Sequence, residues 1–208
     1  MSLQPPGSSD PSHLVTIDLL LQQLADGERD AFDALLPLVY SELHQLARQH
    51  RRRWSGDETL NTTAIVHEAY LRLAGTPEPG WRSQPHLMAV ASRAMRHIML
   101  DHARQRQRQK RGGNQQRIPW HEVEEALRSG GGPADTRAEA LIALDEAMRR
   151  LEQHDERQSR IVECRFFGGM SIPETGEALG ISPATVKRGW AMAQAWLHRE
   201  LTATLETG

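Results

Sequence analysis

Cysteine is almost missing from this sequence: Cys164 is the single one in 208 residues. A lone thiol can neither close an internal disulfide nor build a cysteine zinc cage, so a reducing compartment is expected, most simply the cytoplasm. Long apolar runs are missing as well. Nothing approaches the length of a membrane span and no signal peptide opens the chain, so neither a membrane association nor export is expected. β-branched and aromatic residues, the latter at 5%, never gather into runs, which removes the signals of strands. A net charge of only −2 gives no overall bias toward a polyanion.

The distribution of charge says otherwise. From Arg93 to Arg117 the basic residues Arg93, Arg96, Arg104, Arg106, Arg108, Lys110, Arg111 and Arg117 face Asp101 alone, while the remainder carries the acidic balance. A concentrated basic stripe on a slightly acidic chain is the electrostatic footprint of a polyanion partner, with a solvated helix end as the plainer alternative.

Apolar residues recur with the helical period almost everywhere. Phe32, Leu35, Leu36, Val39, Leu43 and Leu46 mark one helix, which Pro37 is expected to kink or restart. Ile65, Ala69 and Leu73 mark a second, and Leu87, Ala91, Ala94 and Ile98 a long third helix from about 86 to 108. Residues 75–85, with three prolines, two glycines and Trp81, read as a loop. Gly112 to Pro133 is glycine-rich and poor in apolar residues, which is linker composition. Helical pattern resumes with Leu141, Leu144, Met148 and Leu151. The expected fold is all-α: a leader over 1–13, a module over 14–111, a flexible linker over 112–136 and a second module over 137–205.

The most sharply bounded motif lies near the C-terminus. Ser171-Ile172-Pro173-Glu174 has the form of a capping box, and Gly180 stands where a helix would end in the left-handed conformation. Ser182-Pro183 then opens a second helix whose Val186, Trp190, Ala193 and Leu197 form an inward face, with Gly176 allowing close approach and Ile181 plugging the turn. This is a helix-turn-helix. Ser182, Ala184, Thr185, Lys187 and Arg188 sit at the head of its second helix, where side chains reach base edges and phosphates in the major groove. Gly189 interrupts that helix, either for close approach to DNA or to a neighbouring helix.

The order of these parts resembles the extracytoplasmic-function sigma factors, minimal members of the sigma-70 family, over most of the chain. The phrases that carry the likeness run from Thr62 to Leu73, Ala94 to Arg104, Cys164 to Ser171 and Ser182 to Arg188. The resemblance implies a factor that binds core RNA polymerase and directs promoter-specific transcription initiation, with no catalytic residues, cofactor or metal. The first module would be region 2, which holds the polymerase clamp and recognises and melts the −10 element. The second would be region 4, which reads the −35 element and touches the polymerase flap.

By matched position, Asn61, Thr62, Thr63, Val66 and Glu68 would face the clamp. Arg96, Arg104, Arg108, Lys110 and Arg111 would track −10 DNA, and Trp81 would stack on a single-stranded base unless it anchors its loop in the core. Relatives begin the clamp helix with acidic residues, whereas no carboxylate lies between Glu58 and Glu68 here. Phosphorylation of Thr63, with Thr62 as second choice, would restore negative charge in the first helical turn. A Ser/Thr kinase and an anti-sigma factor are therefore both conceivable partners.

Two other readings compete. A helix-turn-helix regulator that is not a polymerase subunit would leave the basic helix and the 62–73 phrase unused. A helical metal-dependent phosphohydrolase would use His97, Asp101 and His102 together with His67-Glu68. It lacks a second acid–histidine pair of matching spacing, and arginines surround the first.

Overall fold

The computed structural model describes residues 11–28, 30–54, 60–75, 81–110, 125–126 and 129–206, and these form helices joined by short turns with no strand among them. In chain order they are α1 (Pro11–Ala25), α2 (Ala31–Trp54), α3 (Thr62–Ala74), α4 (Gln84–Lys110), α5 (Ala134–His154), α6 (Glu156–Val162), a π-helical turn (Glu163–Phe167), α7 (Ile172–Leu179) and α8 (Pro183–Glu206). Residues 1–10 of the expected leader, 111 of the first module, and 112–124 and 127–128 of the expected linker lie outside the described residues.

Helical periodicity places the core where the sequence puts it. Leu35, Val39, Leu43 and Leu46 of α2 are buried with Ile65, Ala69 and Leu73 of α3, Leu87, Ala91 and Ile98 of α4, and Leu141, Leu144, Met148 and Leu151 of α5. Burying each such side chain contributes about 1.5–3 kcal/mol before the entropy of ordering it is set against the gain. Pro37 neither ends nor restarts α2, which runs through it. Pro37 and Asp33 are both exposed, so the carbonyl four residues back that loses its N–H partner faces water.

The leader and the linker are shorter than the composition suggests. α1 begins at Pro11 and seats Ile17, Leu21 and Leu24 in the core, while α5 begins at Ala134 and buries Thr136. The modules are also not held apart. One continuous apolar cluster runs from Ile17 through α4 to Leu201, and α4 packs against α5, α7 and the π turn as well as against α2 and α3.

The helix-turn-helix is built as its punctuation dictates. The Ser171 hydroxyl accepts from the Glu174 N–H at 3.3 Å, and the Glu174 carboxylate accepts from the Ser171 N–H at 2.7 Å. Gly180 ends α7 at φ +66°. A Cβ at Gly176 would lie 2.8 Å from the Ile181 carbonyl, so the tight turn requires glycine there. Gly189 admits a neighbouring helix: a Cβ would meet Ile161 Cδ1 of α6 at 2.6 Å.

Candidate nucleic-acid interface

Three surfaces carry the residues singled out by sequence, and the structure treats them differently. At the head of α8, Ala184, Lys187 and Arg188 are exposed. Ser182 and Thr185 are occupied with capping: the Ser182 oxygen accepts from the Thr185 N–H at 3.2 Å, and the two hydroxyls lie 2.9 Å apart. Behind them Val186, Ala193 and Leu197 are buried, and Trp190, half-buried, lies under the Arg165 guanidinium at 5.6 Å. The cap thus fixes the helix start, and the buried face aims Lys187 and Arg188 outward. That is an arrangement suited to a groove lined by phosphates.

Several arginines of the basic helix α4 meet acid. Arg96, 5% exposed, donates through Nε to both oxygens of Glu163, at 3.2 and 3.0 Å, and through Nη1 to Asp145. Its guanidinium also lies 5.1 Å from the Phe167 ring centre. Asp145, 4% exposed, takes Arg104 at 3.1 Å and Arg149 at 3.3 Å as well. Further along, Arg106 pairs with Asp135 at 2.8 Å, and Arg93 approaches Glu152 to 3.6 Å. Burial pushes the Glu163 carboxyl up from its ordinary range, with Arg96 opposing the rise. Burial, then Arg96 and Arg93, push His97 down.

Between the modules Asp145, Glu152 and Glu163 line a cavity of about 660 Å³, with Arg72, Arg93, Arg96, Arg104, Arg149 and Arg160 on its walls. Arg108 remains exposed; the Lys110 side chain and Arg111 lie outside the described residues. In this arrangement Arg96, expected on a DNA phosphate, is instead buried against two carboxylates. Asp135, Asp145, Glu152 and Glu163 escaped the sequence reading. The seven-residue spacing of Asp145 and Glu152, which puts both on one face of α5, was the one local hint.

Trp81 is buried, 2% exposed, with its ring 5.3 Å from that of Phe32, which in turn stacks on Tyr70 at 5.2 Å. The Tyr70 hydroxyl donates to Asp33 at 2.9 Å. Trp81 therefore anchors its loop in the core, and its face is not available to a base here.

The start of α3 forms the third surface. The Asn61 side-chain oxygen accepts from the Ala64 N–H at 2.7 Å and caps the helix, leaving Thr63 exposed and Thr62 half-buried. Both threonines line a shallow pocket of about 460 Å³ with His44, Arg48, Arg51 and Arg52. Val66, expected on the polymerase-facing surface, is 3% exposed and belongs to the core, because it falls on the inward stripe beside Ile65 and Ala69. Glu68 binds Arg72 at 2.8 Å, and Arg72 also pairs with Asp101, at 3.1 Å.

An all-α chain with a basic helix, a capped helix-turn-helix and a junction between them is what a two-region transcription factor requires. Residues 15–203 match the model of the ECF sigma factor family, and the chain belongs to that family. It is similar to the ECF RNA polymerase sigma factor SigK of Mycobacterium ulcerans (strain Agy99), at 27% identity over 190 residues, covering 88% of this chain and 89% of the relative. The chain is a sigma factor that directs transcription initiation, and the family implies binding to core RNA polymerase and to promoter DNA. No helix among the described residues is long and apolar enough to cross a membrane.

Proposed function

We propose that residues 14–111 act as the region that binds core polymerase and the −10 element, and that the helix-turn-helix of 137–205 reads the −35 element. The observation that carries this division is the exposure of Lys187 and Arg188 at a capped helix head, on a module distinct from the one bearing the arginines of α4. Lys187 contacts phosphate and Arg188 a base edge; Arg104 and Arg108, with Lys110 and Arg111, follow the DNA backbone. The polymerase clamp meets the start of α3 around Asn61, Thr62, Thr63 and Glu68, and the flap meets the second module. The protein acts in the cytoplasm, as a binding subunit and not an enzyme.

The missing acidic residues at the start of α3 leave electrostatic complementarity to a basic clamp weak. A Ser/Thr kinase acting on Thr63 would add about −1.5 to −2 of charge at neutral pH, in a first turn where the helix dipole favours an anion. The exposure of Thr63 supports this reading. The nearby Arg48, Arg51 and Arg52 give the phosphate partners of its own chain. An anti-sigma factor, by contrast, has no residue on this surface that calls for it.

Reconstitution with core polymerase and a promoter library tests the main reading: defined start sites should appear that vanish with Lys187→Ala and Arg188→Ala. Absence of any promoter-dependent start would refute it. For Thr63, binding to core polymerase is compared for unmodified, kinase-treated and Thr63→Ala protein. Tight binding that neither phosphate nor alanine alters would remove the basis of the switch.

A further inference from the structure

We propose that the cavity lined by α4, α5 and α6 is a binding site for a nucleoside triphosphate, with its phosphates on arginines and its base on a small apolar wall. The inference does not depend on which helix meets which promoter element. At about 660 Å³ the cavity has the size of a small-molecule site. One face of α4 supplies its long wall, where His86, Val90, Arg93, His97 and Arg104 recur at helical spacing over about 27 Å.

The charges of the lining do not balance. Seven arginines stand against four carboxylates. Asp145 is shared by Arg96, Arg104 and Arg149, so one carboxylate answers parts of three guanidinium groups. Arg93 approaches Glu152 only to 3.6 Å, beyond hydrogen-bond length. Arg160 pairs with Glu156 of its own helix, through side chains that are both exposed, and Arg82 adds a further cation just ahead of α4. The two imidazoles register the excess. Burial first, then arginines, lowers both: Arg82 and Arg160 act on His86, and Arg96 and Arg93 on His97, where Asp145 opposes them. Guanidinium groups set on three helices around one concavity can grip phosphate oxygens in pairs, and a chain of phosphates engages several of them together.

Part of the lining is apolar. Ala178 and Leu179, at the end of α7, are half-buried against the small cluster of Ala89, Cys164 and Met170, and Val90 adds to the same lining. The His86 Nδ1 accepts the Arg82 N–H at 3.3 Å, so its neutral ring carries the proton on Nε2 and can donate to a base edge. An apolar patch and a neutral donor beside a cationic wall suit a nucleotide. A bare polyphosphate would use the arginines alone.

The test titrates the full chain calorimetrically with ATP, GTP, CTP and UTP in turn, at physiological salt and without divalent cations. Inorganic tripolyphosphate and the free nucleosides are the comparison probes. At least one triphosphate should bind once per chain with Kd below about 100 μM, and tripolyphosphate at least about tenfold more weakly. At about hundredfold excess over Kd that triphosphate should raise Tm by roughly 5–11 °C.

Arg93→Ala with Arg149→Ala, both exposed positions, should weaken triphosphate and tripolyphosphate alike by at least about tenfold. Leu179→Ala should weaken the triphosphate about threefold or more and leave tripolyphosphate unchanged. Arg157→Ala with Arg199→Ala, exposed arginines outside the cavity, removes the same charge and should change either affinity less than about twofold. Thermal melts verify folding, and Arg149→Ala alone keeps the test decisive if the double variant does not fold. Saturable binding of none of the four triphosphates would overturn the site, and so would a loss that the control variant matches. Tripolyphosphate bound as tightly as the best triphosphate would overturn the nucleotide, since the apolar wall would then contribute nothing.

Discussion

Replacing Arg96 with alanine should markedly destabilise the free protein, because its ion pairs with Asp145 and Glu163 are buried. The change strips Glu163 of the guanidinium that both its oxygens accept from, and takes one of three arginines from Asp145. Breaking a buried pair by removing one partner costs about 3–5 kcal/mol, because the remaining charge stays desolvated. Asp145 keeps Arg104 and Arg149, which holds the expected loss toward the lower end, about 3–4 kcal/mol. For a chain of this size each kcal/mol lowers Tm by roughly 2–4 °C, giving a drop of roughly 6–16 °C.

Glu163 adds a signature. Its carboxyl is already raised by burial, and without Arg96 nothing of that strength opposes the rise, so the orphaned group prefers a proton. The deficit of Arg96→Ala should therefore be smaller at pH 5 than at pH 8, and Glu163→Gln in the same background should recover part of it. Urea unfolding at both pH values measures all three quantities. A loss under about 1 kcal/mol, or one independent of pH, would refute the reasoning.

Three further outcomes follow from other sites. His50 is fully buried beside Ser92 and Phe167, and burial, then Arg96 and Arg53, lower its pKa to about 3 from the usual 6.5. A base held neutral in the fold contributes stability that is complete above pH 6.5 and is lost as pH falls toward 3. Wild-type stability should then drop by up to ~1.4 kcal/mol per unit below pH 6.5, and His50→Gln should flatten that slope in denaturation followed from pH 7 to 5. Cys164 is 1% exposed and its thiol is pushed up to about 12, so a thiol reagent at neutral pH should label it only after denaturant is added. Arg188→Ala should cost about 1–3 kcal/mol on the best −35 duplex and relax preference at one base pair, read by anisotropy; an equal loss on every sequence would mean a phosphate contact instead.

What could be read in advance divides along the length scale of the signal. Helices announce themselves within a few turns, so the stripes of α2, α3, α4 and α5 and the caps at Ser171, Gly180 and Ser182 were legible. So was the exposed head of α8, since inward Val186 and Ala193 fix which way Lys187 and Arg188 point. The docking of the modules was not. Arg96 meets Asp145 and Glu163 across separations of 49 and 67 residues, and nothing local to an arginine tells a phosphate partner from a distant carboxylate. Trp81 shows the same limit, because its stacking partner Phe32 belongs to another helix. Val66 failed for a different reason: beside Ile65 it falls within a stripe wide enough to bury both neighbours.

The apolar cluster that runs without a break from Ile17 to Leu201 has a thermodynamic corollary. Two modules with separate cores would melt in two steps, and parting them would cost little. With α4 serving as a wall of both, the free chain should give a single calorimetric transition. Any partner that parts the modules must supply the free energy of wetting that wall. In such a chain, substitutions that raise the melting temperature through the shared wall also hold back opening, which sets an upper limit on useful stability.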